Sequence, residues 1–190
     1  MRRWLSILIA VSAFLSATPA IANVPDWDHS IMQWYQPISG DTLIGVCPLG
    51  EWTGLDVTLR DQYNLPVPSY EVGLNFGDSR VCDQHWISGI TDASGYVRLV
   101  IKSGLNSSAA TLRVASEYSV LVRGVTMWAG TVSVVSPDYN CNPAVDALDF
   151  SFFSLDWPPA AYAARSDFNN DAAVDALDFS ILALHWLHSY

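Results

Sequence analysis

The sequence predicts a mixed fold, with an all-β sandwich over residues 41–135 and a small all-α module over 136–190. Three observations predict it. Between Asp41 and Val135, short stretches alternate apolar and polar residues between frequent turn signals, the pattern of strands in an antiparallel sandwich. From Ser136 that period stops, and "DYNCNPAVDALDFSFFSLDW" at 138–157 returns 29 positions later as "DFNNDAAVDALDFSILALHW" at 167–186, each copy closing as an apolar helix. No Pro/Thr-rich or Gly/Ser-rich linker separates the two parts, so the last strand is expected to run directly into the first repeat.

The elements follow in chain order. Residues 1–22 have a Met-Arg-Arg start, an apolar run from Trp4 to Leu15 and a small-residue Ala20-Ile21-Ala22 end, which predicts an export signal cleaved after Ala22. The apolar run falls short of the ~20 residues of a membrane span, so the protein is expected to be secreted or at the cell surface and not membrane-spanning. Residues 23–40 show no clean period and are expected to be a lead-in. The strand signals are "TLIGVC", "LDVTLRD", "SYEVGLNF", "RVCDQHWISGI", "YVRLVIKSG", "ATLRVASEYSVLVRG" and "MWAGTVSVV". Leu55, Val57 and Leu59 mark one buried face, and Val97, Leu99 and Ile101 another.

Charge narrows the partners. Of 9 basic and 19 acidic residues, the leader holds Arg2 and Arg3, so the mature chain carries 7 against 19. Nucleic acid and anionic membrane surfaces are excluded on that balance. Residues 138–190 hold eight aspartates and one basic residue, Arg165. Three cysteines in an exported chain imply one bridge and one leftover thiol. The expected pair is Cys47–Cys82, both in the strand region, with Cys141 left over.

The repeats carry the chemistry. Numbered from its first aspartate, loop one offers Asp138, Asn140, Asn142, Ala144, Asp146 and Asp149 at places 1, 3, 5, 7, 9 and 12. Loop two offers Asp167, Asn169, Asp171, Ala173, Asp175 and Asp178 at the same places. This is the oxygen spacing of EF-hand-type calcium loops, in which place 7 gives a backbone carbonyl and place 12 a bidentate carboxylate. Helix capping by Asp explains one or two of these groups per copy, not six at fixed spacing twice. Val145 and Val174, at place 8, are expected to form the short strand that joins paired loops. Place 6 wants glycine for positive φ; loop two has Ala172, and loop one has Pro143, whose ring fixes φ near −65°, so the usual loop shape is not expected to form unchanged there. One or two Ca²⁺ ions are expected, the second loop being the better site, since it has four carboxylates against three.

With this spacing, two copies and the "AVDALDFS" exit helix, residues 138–188 resemble a type I dockerin domain. That resemblance implies two calcium loops, each followed by a helix, and a cohesin-like or other extracellular protein partner. It places the partner-reading positions at Ala147, Leu148, Ala176 and Leu177. The phrases "VTLRDQYNLPVP" at 57–68 and "GITDASGYVRLVIKSG" at 89–104 resemble bacterial immunoglobulin-like domains, which implies a sandwich and a surface context but no chemistry.

Other motifs have plainer explanations. Cys82-Asp83-Gln84-His85 fits a bridged cysteine beside a surface histidine, and packing or exposure accounts for His185 and His188 beside Trp186. No catalytic or nucleotide-binding fingerprint is present, and no enzyme activity is expected. Phe150, Phe153, Leu155, Trp157, Phe179, Ile181, Leu182, Leu184 and Trp186 are expected to form the small module's core. The expected function is calcium-dependent extracellular interaction or anchoring. The alternatives are polysaccharide binding through Trp34, Trp52, Trp86 or Trp128, and a structural envelope role with calcium as a staple.

Overall fold

The computed structural model describes residues 23–189 apart from 41, 51, 83–85 and 108–111; the expected leader and His85 lie outside the described residues. Eight strands run in order: β1 (Ile31–Tyr35), β2 (Leu43–Gly45), β3 (Gly54–Thr58), β4 (Glu71–Phe76), β5 (Trp86–Ile90), β6 (Tyr96–Val100), β7 (Val114–Val122) and β8 (Val125–Val135). They form a three-stranded sheet, β1-β3-β6, and a five-stranded sheet, β2-β8-β7-β4-β5. All pairs are antiparallel except β2 with β8, where Leu43, Ile44 and Gly45 run parallel to Ser133, Val134 and Val135.

Alternation places the core between the sheets. Leu55, Val57, Leu59, Leu99 and Ile101 from one side meet Val72, Leu74, Phe76, Val120, Val132 and Val134 from the other, all buried. Apolar area removed from water on this scale is the main stabilising term. The expected lead-in supplies β1, whose Trp34 is buried edge-on against Tyr118, ring centroids 5.2 Å apart. "TDASG" forms a tight turn, with Gly95 at φ 76° and the Asp92 side chain accepting the N–H groups of Ser94 and Tyr96. It is not a hairpin, because β5 and β6 belong to different sheets. The β7–β8 hairpin turns on Arg123 and Gly124, both at positive φ, as the right-handed strand twist favours.

Two short helices follow, α1 (Ala147–Asp156) and α2 (Ala176–Leu184). The expected division into a sandwich and a separate all-α module is overturned. The structure is mostly β, 37% strand against 12% helix, and the described residues contain no helical C-terminal dockerin-like module. The physical reason is where the apolar groups go. Tyr139, Phe153, Phe168, Val174 and Leu182 bury against Leu43 and Val135 of the five-stranded sheet, with Trp52 and Ile38 at the margin. Of the expected module core, only Phe153 and Leu182 are fully buried and Ile181 partly so; Phe150, Leu155, Trp157, Phe179, Leu184 and Trp186 are exposed.

Polar contacts fasten the same junction. Arg165, buried, donates to Asp156 through Nε (2.7 Å) and Nη2 (3.0 Å) and to the Ser107 carbonyl through Nη1 (2.7 Å). The disulfide is Cys82–Cys141, not Cys47–Cys82. Cys141 comes to Cys82 because the first loop lies on the segment between β6 and β7, where Leu105 N–H donates to the Asp138 carbonyl and Ser107 N–H to that of Tyr139, and Leu105 bridges Val81 beside Cys82. Cys47 is buried just beyond β2.

Candidate metal centre

The two acidic loops share their hydrogen bonds at places 3, 5, 9 and 12 and differ at place 1, in each case through short oxygen side chains that bend back onto nearby N–H groups. At place 1, Asp138 accepts from Asn140 (3.2 Å) and Cys141 (2.9 Å), and Asp167 from Asp171 and Ala172 (both 3.1 Å). At place 3, Asn140 and Asn169 each accept the N–H of place 5. At place 5, Asn142 and Asp171 accept the N–H of Ala144 (3.1 Å) and Ala173 (3.0 Å). Asp146 and Asp175 are the helix N-caps, and Asp149 and Asp178 complete capping boxes with them. Asp149 and Asp178 also reach across each loop to the N–H of place 2, Tyr139 (2.8 Å) and Phe168 (2.7 Å).

Capping therefore accounts for places 9 and 12, while places 1, 3 and 5 curl inward in both copies. Positive φ appears at place 6 as expected, at Ala172 (68°) and Pro143 (30°), and also at place 4, at Asn170 (62°) and Cys141 (60°). Loop one reaches positive φ at Pro143 against the preference of the ring, but its place-1 hydrogen bonds differ from those of loop two. Val145 does not pair with Val174. Its N–H donates to the His188 carbonyl (3.0 Å) and its carbonyl accepts from Leu187 (2.9 Å), so loop one is closed by the residues after α2.

The loops differ in what they gather. In loop two, Asp167, Asp171 and Asp178 each present a carboxylate oxygen, all within 4.8 Å of one another. Two oxygens bound to one calcium at ~2.4 Å each lie within about 4.8 Å of each other, so the three fit one ion. Asp167 and Asp178 are fully buried. Burial raises the Asp178 carboxyl above its ordinary range, and the Asp167 charge adds to this. Arg113, just before β7, meets Asp167 Oδ2 at 3.1 Å and Asn170 Oδ1 at 2.6 Å, tying the loop to the sheet. In loop one, burial and then the Asp149 charge push Asp138 up to about 6. Its Oδ2 is buried without a hydrogen-bond partner. Buried carboxylates in this state favour a cation beside them.

No family model matches the chain, and no curated protein matches it. The resemblances drawn from the sequence thus rest on the quoted motifs alone.

Of the expected partner-reading residues, Ala147, Leu148, Ala176 and Leu177 are all exposed on the first turns of α1 and α2. The repeat also sets up a surface that sequence reasoning assigned to a core. Phe150 and Phe179 are both 42% exposed, and Trp157 and Trp186 both 39%. Phe150, Phe153, Ser154, Trp157 and Phe179 line a groove of about 330 Å³ between the helices. The 29-residue spacing of these aromatic pairs was the available signal, because a repeat that packs one face inward leaves the same face outward in both copies.

Proposed function

We propose that this chain is an exported, non-catalytic interaction protein whose acidic loops bind calcium, loop two more tightly, and so hold the α1–α2 surface rigid for an extracellular partner. One observation carries the reading: the carboxylates of Asp167, Asp171 and Asp178 converge within 4.8 Å, on a loop whose place-12 carboxylate bonds across it as its twin's does. Calcium suits an all-oxygen donor set of this kind. The motif resemblance implies a cohesin-type domain as partner, met through the exposed Leu148 and Leu177. Among the described residues no helix is long and apolar enough to cross a membrane.

Calorimetry of the mature chain tests the metal. One strong calcium event is expected, removed by Asp171→Asn and retained in Asn142→Ala. Absence of any calcium heat, together with a melting point indifferent to EGTA, sinks the reading. The partner is tested separately, because Leu148→Asp with Leu177→Asp should abolish calcium-dependent capture of a cohesin-type domain while calcium uptake persists.

A second reading, polysaccharide binding, has its own observation. Trp27, which is 55% exposed, leans on Trp128 with centroids 5.4 Å apart, beside a cavity of about 400 Å³ that Tyr70 and Arg123 also line. Aromatic faces of this kind stack on sugar rings. Trp34 is core and Trp52 lies against Phe168, so of the expected tryptophans Trp86 and Trp128 remain for that role. Glycan binding indifferent to chelator would favour this reading.

A further inference from the structure

Cys47 and two histidines about 140 residues further along the chain meet beneath Trp52. Cys47 lies just after β2, His185 caps the C-terminal end of α2, and His188 stands three residues further on. Their ligand atoms, one per residue, all lie within 4.8 Å of one another. The two Nδ1 atoms are 3.3 Å apart. Two nitrogens bound tetrahedrally to one zinc at ~2.05 Å would be separated by about 3.3 Å, and a thiolate sulfur at ~2.3 Å would lie about 3.6 Å from each.

We propose that Cys47, His185 and His188 form a binding site for a borderline-soft divalent ion of the zinc class, separate from the acidic loops, which pins the C-terminal end of the chain to the sandwich.

The donor set selects the ion. One sulfur and two imidazole nitrogens, with no carboxylate among them, suit zinc and disfavour calcium, which takes oxygen. The ligands are also held in place. Trp52 stacks on His185 with centroids 4.9 Å apart and planes 25° apart, and its other contact, edge-on to Phe168, fixes the indole. Gly45 leaves the room that ring occupies, since a Cβ there would collide with it. His188 is placed by the backbone, its carbonyl accepting from Val145 and its neighbour Leu187 donating back. Cys47 and His185 are buried and His188 half-buried, so the ion has a route in. Three protein ligands leave a fourth position for water or an exogenous donor. The ion would close the circuit that begins at loop one, passes through the residues after α2 and returns to β2. The proposal does not depend on the calcium reading.

The test uses the mature chain, stripped of metal without reductant so that the Cys82–Cys141 bridge survives, in excess calcium to occupy the acidic loops. Titration with Co²⁺ should give one equivalent with a thiolate-to-cobalt charge-transfer band and the intense visible bands of tetrahedral coordination, both bleached by Zn²⁺. Zinc should also protect Cys47 from alkylation. Cys47→Ser should remove the charge-transfer band, and His188→Ala, at a half-buried position that tolerates truncation, should weaken cobalt about tenfold or more. A faint octahedral spectrum unchanged by Cys47→Ser would mean cobalt in the acidic loops only and would overturn the site. So would alkylation of Cys47 at one rate with and without zinc.

Discussion

Phe150 and Phe179, equivalent residues of the two repeats, meet edge to face with ring centroids 6.1 Å apart and planes 65° apart. Each also touches a tryptophan, Phe150 meeting Trp186 and Phe179 meeting Trp157. The pair is half open to solvent, whereas Phe153 between them is buried and stacks on Phe168 at 6.0 Å. Truncation should separate the two roles. Phe153→Ala should cost about 3–5 kcal/mol, as a buried phenylalanine does. Phe150→Ala and Phe179→Ala should each cost about 1 kcal/mol, the scale of an aromatic pair at a surface. Urea denaturation measures all three. Equal losses at the three sites would make the aromatic cluster a core rather than a contact surface.

The Cys82–Cys141 bridge spans 59 residues and enters loop one at place 4. A closure of that length stabilises by about 4 kcal/mol in the chain-entropy account. The variant Cys82→Ser/Cys141→Ser should therefore lose several kcal/mol in urea denaturation. Cys47→Ser, which leaves the bridge intact, should not reproduce that loss. A double variant as stable as the parent would show that the bridge does not hold loop one against the sheet.

The strands and loops were legible because their signals are local. Leu55, Val57 and Leu59 alternate in the sequence and are buried together, and the positive φ at Ala172 follows from the turn that a twelve-residue loop makes. What escaped depends on distant neighbours. β1 was read as lead-in because Ile31–Tyr35 alternates poorly, yet it pairs along its whole length with β3. The helical pattern alone predicts that the aromatics bury against each other. A single turn-spaced stripe on each was enough for the sheet at Leu43 and Val135, and the other aromatics were left outside. The cysteine pairing failed for the same reason. Nothing near Cys141 in sequence says that its loop lies on the strand region that carries Cys82.

Strong acid should weaken one ion pair of the three-stranded sheet. Asp56, nearly buried, accepts from Arg98 Nε (2.7 Å), Arg98 Nη2 (2.8 Å) and the Tyr96 hydroxyl (2.9 Å). The Arg98 hydrogen bonds hold its carboxyl below the ordinary value of 3.8, against the opposing effect of burial. A depressed folded value gives stability that is present above the unfolded pKa and lost as pH falls through the folded one. The loss therefore belongs below pH ~4. Arg98 is more than a third exposed, so solvent screening limits the effect to about 1 kcal/mol or less. Urea denaturation at pH 6 and pH 2.5 should show a larger acid loss in the parent than in Asp56→Asn, by that amount. Identical losses would mean the pair contributes nothing to folding.

Place 6 of the loops gives the sharpest comparison, since both copies hold the wrong residue for a left-handed turn. Ala172 at φ 68° carries the Cβ penalty, about 1 kcal/mol. Pro143 at φ 30° is displaced from a ring preference near −65° and carries more. Glycine removes either penalty but widens the unfolded ensemble by up to ~1 kcal/mol. Ala172→Gly should thus be nearly neutral for folding, and Pro143→Gly should stabilise by about 1–2 kcal/mol in thermal unfolding without calcium. The calcium consequence is separate. Relieved of the proline strain, loop one should hold calcium more tightly through Asp138, Asp146 and Asp149, so calorimetry of Pro143→Gly should show a second calcium event stronger than the parent's. A Pro143→Gly protein that melts lower than the parent would mean that the loop was shaped by its proline rather than in spite of it.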